Sequence, residues 1–378
     1  MKSKTGSVFA AALLAAVLQP TLGHAQSAVP GLCHDGALPS GALSRICVPK
    51  TGWNGALVVY AHGYVPFFEP VTFHNLTLGD GTDLPTLVQS LGFAFATTSY
   101  RQNGLAILEG VEDMRELVFA FSTSPGVPLG FPLKTYIAGV SEGGLVAALL
   151  AERSPNLLTS ALATCGPIGS FRGQIDYFGD FRVLFDYFFP GVLPGSPVAV
   201  PELLMQQWYA VYAPAVAAAL AANPWRALEL LRVAKAPFDP ADPRTIAQTA
   251  LDVLWYNVFA TNDAAVKLGG NPYGNRLRWY FGSTNDLALN LKVQRFSASP
   301  IASAALRNYE TAGNLTIPMV TLHTIGDPVI PIWHELLYFF KLDAFAHTQF
   351  TPLPVARYGH CTFTTSELLG AFQLAATR

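Results

Sequence analysis

Short, nearly continuous apolar runs alternate along the first half of the chain with segments of helical spacing. "GALVVYAHG" (55–63), "FAFATTSY" (93–100), "KTYIAGV" (134–140) and "LTSALATCG" (158–166) are runs of this kind, and the pattern predicts buried strands. "LSRICVPK" (43–50) precedes them as a further strand, with turn residues from Gly52 to Gly55. Helical spacing fills the intervals at 83–92, where Gly92 ends the pattern, at 103–122 despite Gly110, and at 142–153. Strands and helices in strict alternation predict a parallel sheet covered by helices on its faces.

The alternation stops near Pro167. Up to Gly313 the chain carries helix-like runs such as "FRVLFDYFF", "PELLMQQWYAVY", "NPWRALELLRVA" and "IAQTALDVLWYNVFA", separated by Pro/Gly turns and without a repeat. The βα pattern then resumes with a strand at 318–328, a helix at 332–342, a strand at 349–359 and a closing helix at 365–378. The expected organisation is an α/β core at 26–166 and 314–378, interrupted by a helical cap at 167–313. Trp208, Trp225, Trp255 and Trp279 fall inside the insertion. An aromatic cap over a sheet edge favours an apolar small-molecule pocket, although most of these rings are expected to form the cap's own core.

Composition narrows the functional classes. The chain has 378 residues, 51% hydrophobic and 13% charged, with a formal net charge of -2 and no basic block. Nucleic-acid binding needs a basic footprint and is therefore not expected. Lys2 and Lys4, the apolar run "VFAAALLAAVLQ" and the small residues Gly23 and Ala25 lay out a secretory signal peptide over 1–25. The run falls short of the ~20 apolar residues of a membrane span, so no span is expected after cleavage, and the protein is expected to be secreted or periplasmic. Four cysteines suit an oxidising compartment. Cys33 and Cys47 flank a short loop and are the favoured pair, which would leave Cys165 with Cys361; the other two pairings stay open. No cysteine or histidine spacing predicts a metal site, and no cofactor fingerprint is present.

"GVSEG" (139–143) places Ser141 between Gly139 and Gly143, where a strand pattern hands over to a helix pattern. A serine on so sharp a turn tolerates only small neighbours and faces the positive end of the following helix. Serine needs a base to take its proton. His360, between the last strand and the last helix, is the expected one. His24 falls in the signal peptide and His34 in the short cysteine-flanked loop, His74 and His347 sit in loop-like surroundings with no acid or nucleophile placed by the fold, His323 reads as a core residue, and "HELLY" at His334 lacks a second histidine. Asp327 follows a strand and is the expected acid, with Asp286 in the insertion as the alternative. Backbone N–H groups of Glu142 and of Tyr64, after the close-approach residue Gly63, are expected to hold the oxyanion.

Together "HGY" (62–64), "GVSEG", "GDPVIP" (326–331) and "GHC" (359–361) resemble the α/β-hydrolase superfamily. The resemblance implies a mostly parallel sheet with a large helical cap inserted after the sixth strand, and a triad of Ser141, Asp327 and His360. Cys361 beside His360 is similar to tannases and feruloyl esterases, in which one disulfide joins the residues next to the serine and the histidine; here Val140 precedes the serine. A Cys165–Cys361 bridge would instead pin the His360 loop to the core. The expected activity is hydrolysis of a carboxylic ester, apolar or aromatic, from a small molecule or a polymer. The alternatives are a peptidase of the prolyl-oligopeptidase type, a β-diketone hydrolase and a non-catalytic binding protein on the same fold.

Overall fold

The computed structural model describes residues 28–124 and 131–378, so the expected signal peptide lies outside the described residues. Eight strands form one sheet: β1 (Cys33–Ala37), β2 (Leu43–Cys47), β3 (Ala56–Ala61), β4 (Ala94–Thr98), β5 (Lys134–Val140), β6 (Ser160–Thr164), β7 (Met319–Gly326) and β8 (Phe350–Tyr358). Their order is β1-β2-β4-β3-β5-β6-β7-β8. The β1–β2 and β2–β4 pairings are antiparallel and all others are parallel. This is a mostly parallel sheet, as the resemblance of the four motifs implies.

Every residue of β3, β4 and β6 is buried, which is why these strands read as unbroken apolar runs. On one face lie α2 (Ile107–Phe121) and α3 (Glu142–Arg153), whose Met114, Leu117 and Leu149 pack on Leu57, Val59 and Ile137. On the other lie α1 (Leu84–Ser90) and α13 (Thr365–Thr377), with Val88 against Val58 and Phe95, and Ala371 against Leu162 and Val320. The edge strand β8 is half exposed and carries Pro352 and Pro354, residues that discourage pairing by another strand.

Two elements differ from expectation. Residues 33–37, expected as part of a loop, form β1. All five are exposed, so no apolar alternation announces them, and pairing with β2 alone defines the strand. A short helix, α12 (Ala344–Gln349), separates α11 (Trp333–Phe339) from β8. Both disulfides pair as favoured, Cys33 with Cys47 and Cys165 with Cys361. The second closes a separation of 196 residues, for which chain entropy gives a stabilisation of about 5 kcal/mol.

Between β6 and β7 the chain is helical: α4 (Phe171–Phe188), α5 (Glu202–Gln206), α6 (Ala213–Ala222), α7 (Pro224–Ala234), α8 (Arg244–Lys267), α9 (Asp286–Lys292) and α10 (Pro300–Ala305). Phe181, Phe185, Leu204, Leu230 and Leu254 build a core of its own, with Trp208 inside it and Trp255 packed against it. Trp225 and Trp279 correct the expectation, being 82% and 50% exposed. Helix α7 turns Ala227, Leu230 and Leu231 inward, and Trp225 lies off that stripe. Among the described residues, no helix is long and apolar enough to cross a membrane.

Candidate active site

The parallel strands end on one side of the sheet, and their following loops carry the chemistry-bearing residues. Ser141 stands between β5 and α3 with φ 56° and ψ −121°, a conformation sparsely populated by residues with a side chain. Missing side chains around it make the turn possible. A Cβ on Gly139 would stand 1.9 Å from the Gly143 carbonyl oxygen, and one on Gly143 would stand 2.1 Å from that of Ala61. On the opposite side, a Cβ on Gly63 would come within 3.2 Å of the Ser141 Cβ. The Ser141 N–H is anchored to the Thr164 carbonyl at 2.9 Å.

Asp327 follows β7 and is fully buried. Its Oδ1 accepts from the Val329 and Ile330 N–H groups, each at 2.9 Å, so the turn "GDPVIP" serves to solvate a carboxylate away from water. Its Oδ2 lies 2.7 Å from His360 Nδ1. A carboxylate only accepts, so Nδ1 carries the proton and Nε2 presents its lone pair. Ser141 Oγ, 2.8 Å from Nε2, donates to it. The three residues expected from the sequence are thus brought into one hydrogen-bonded chain. Asp286, the alternative acid, instead accepts from Ser283 and Gly282 within the insertion.

The two expected oxyanion donors flank Ser141. Neither the Glu142 nor the Tyr64 backbone N–H has a protein acceptor among the described residues. The preceding His62 stacks on Tyr100 and donates from Nδ1 to the Gly63 carbonyl at 2.7 Å, which fixes the loop. Burial pushes His62 down to about 4, so it is neutral at physiological pH. Burial pushes the Glu142 carboxyl up to about 8. Kept protonated, it places no negative charge behind the amide that would face an oxyanion.

Three contributors were not legible in the sequence. Tyr256, on α8, reaches the Ser141 side chain with its phenol, and burial holds that phenol protonated. His323 and Glu335 back the acid. His323 Nδ1 faces Glu335 at 3.0 Å and Nε2 faces the Ile330 carbonyl at 2.7 Å, so both nitrogens meet acceptors. Burial opposes a charge on this ring, but Glu335, and Asp327 at 3.7 Å, raise its pKa above the ordinary value. His334 does structural work: it donates from Nε2 to Gln174 on α4, and Gln174 in turn donates to the Val329 carbonyl in the acid's turn.

Cys361 follows His360 directly, and its bridge to Cys165, beyond the end of β6, ties the histidine loop to the centre of the sheet. Cys165, His360 and Cys361 form a cluster of metal-ligand residue types. Both sulfurs are committed to the disulfide, so the cluster offers no thiolate to a metal.

No family profile and no curated protein matches the sequence. Among solved structures, a Pyrococcus horikoshii acylaminoacyl peptidase is similar over 93% of this chain and 41% of its own, at 12% identity and TM-score 0.45. An esterase of Pyrococcus furiosus is similar over 93% of this chain and 90% of its own, at 10% identity and TM-score 0.45. Feruloyl esterase B from Aspergillus oryzae is similar over 87% and 73%, at 14% identity and TM-score 0.47. The chain spans about two fifths of the length of the peptidase.

Two outcomes are expected from this geometry. Gly143→Ala forces a methyl group into the Ala61 carbonyl and is expected to cost about 3 kcal/mol or more in urea unfolding; a loss under about 1 kcal/mol would mean the turn relaxes. The raised Glu142 pKa carries a sign. Between about pH 5 and 8 the unfolded chain releases this proton while the folded chain keeps it, so stability falls as pH rises, by up to ~1.4 kcal/mol per unit. Glu142→Gln is expected to flatten that fall when unfolding is measured across this range, whereas parallel curves for both proteins would show that Glu142 is ionised in the fold.

Proposed function

We propose that this protein is a serine hydrolase that cleaves carboxylic esters, with Ser141 as nucleophile, His360 as general base and Asp327 as its orienting acid. The observation that carries the reading is the Ser141–His360–Asp327 chain, ending on a buried carboxylate held by two backbone amides. Ser141 Oγ attacks the ester carbonyl as its proton passes to His360 Nε2, and the imidazolium is stabilised by Asp327. The tetrahedral oxyanion lies against the Glu142 and Tyr64 amides. His360 then returns the proton to the departing alkoxide, leaving an acyl-Ser141. Water, deprotonated by the same imidazole, releases the acid.

Residues 167–313 act in this reading as a cap on the core at 26–166 and 314–378. Support comes from α8, whose Tyr256 reaches Ser141 and whose Phe259 carbonyl accepts from the Tyr64 hydroxyl at 3.3 Å. The two disulfides fit work in an oxidising compartment, either a secreted or a periplasmic one.

The peptidase alternative needs acids free to hold a peptide's amino terminus. Asp176 and Asp180 are both paired with Arg278, at 2.6 and 2.5 Å, and Glu202 accepts from Gln206 on the exposed side of α5. These pairings favour the ester reading.

Purified protein is expected to release nitrophenol from nitrophenyl butanoate and to leave the corresponding nitroanilide intact. Ser141→Ala is expected to lower ester turnover by at least ~10⁴-fold with an unchanged unfolding midpoint, and Asp327→Asn by a similar factor through the wrong histidine tautomer. Near-native turnover in Ser141→Ala would remove the assignment, and anilide cleavage at a comparable rate would replace esterase by peptidase.

A further inference from the structure

Two cavities of very different size meet at Ser141. One, about 1120 Å³, lies between the sheet and helices α1 and α13, over Val58, Phe95 and Leu162 and under Leu87, Leu368 and Phe372. The other, about 90 Å³, lies beneath α4 and α8 among Leu105, Ile175, Phe178, Ala260 and Ala264. Ser141, Tyr64 and Tyr256 line both. Their remaining polar neighbours differ: His360 borders only the large cavity and Glu142 only the small one.

That difference orients the substrate. His360 must hand its proton to the leaving oxygen, so the alcohol departs on the side that His360 borders. The acyl chain then extends the other way, past Glu142 and under α4 and α8. An apolar cavity of 150 Å³ holds a six-carbon benzene ring. By that measure 90 Å³ takes about three or four carbons. The large cavity exceeds the usual ~300–1,000 Å³ of a drug-sized ligand site. The charged groups at its rim are already engaged, Asp80 by Thr365 and Arg357 by Glu367.

Resting on the serine-esterase reading, we infer that the substrate is an ester of a short acyl group, about four carbons at most beyond the carbonyl, with a large, apolar alcohol. The small cavity sets acyl length and the large one receives the alcohol.

Decyl butanoate and butyl decanoate test this directly, because they are isomers with equally basic alkoxides and differ only in which half is long. Initial rates below their solubility limits are expected to give decyl butanoate a kcat/KM at least ~10-fold higher, since even one methylene too many in a closed pocket is worth about that factor. Ile175→Ala, which enlarges the small cavity, is expected to raise decyl hexanoate severalfold relative to decyl butanoate. Equal or reversed rates for the isomers, with Ser141→Ala silent on both, would overturn the assignment of the cavities and leave the serine-esterase reading standing. Failure of the wild-type protein to cleave either isomer or nitrophenyl butanoate would overturn that reading and this inference together.

Discussion

The architecture of the site depends on the approach of three backbone segments with no side chains between them. Gly139 at the end of β5, Gly143 in the first turn of α3 and Gly63 after β3 bring the strand ends and the helix start together around Ser141. Packing this close leaves Ser141 in a conformation with positive φ, a strain of order 1–3 kcal/mol that the buried sheet sustains. The same approach leaves the Glu142 and Tyr64 amides, on either side of Ser141, without a backbone acceptor among the described residues. One steric constraint thus sets the positions of Ser141 and of the two amides proposed as oxyanion donors together.

Around that turn, the remaining groups are held by elements distant in sequence. Asp327 is fixed by its own turn, and the turn is fixed by the insertion: Gln174 donates to the Val329 carbonyl and Tyr177 to that of Pro328. His360 is fixed by the Cys165–Cys361 bridge. Behind the acid, the buried His323 lies 3.7 Å from Asp327 and pairs on its other side with the partly exposed Glu335. The helical insertion is therefore part of the acid's support as well as a wall of the pocket.

Much of this was legible in the sequence, for physical reasons. The central strands are buried on both faces, so they read as apolar runs. A strand that hands over to a helix through a serine between two glycines marks a turn too tight for larger side chains. The chain order of Ser141, Asp327 and His360 follows from strand ends lying on one side of a parallel sheet. What was not legible depends on tertiary proximity. β1 has no buried side chain, and only its partner defines it. Tyr256 sits among aromatic residues that all read as core, and nothing local separates it from Trp255. His323 reads as core and is buried, but its partner Glu335 lies twelve residues on, in helix α11. Trp225 reads as cap core because aromatic content was weighed without helical phase, and Trp279 lies in a non-helical segment between α8 and α9 that no periodicity covers.

Covalent labelling of the intact protein by a fluorophosphonate tests the central claim most directly, because the reagent reports an activated serine without presupposing a substrate. The account predicts one adduct per chain, located by peptide mapping at Ser141 and lost in His360→Ala. Labelling at another residue, or none in a folded protein, would contradict it.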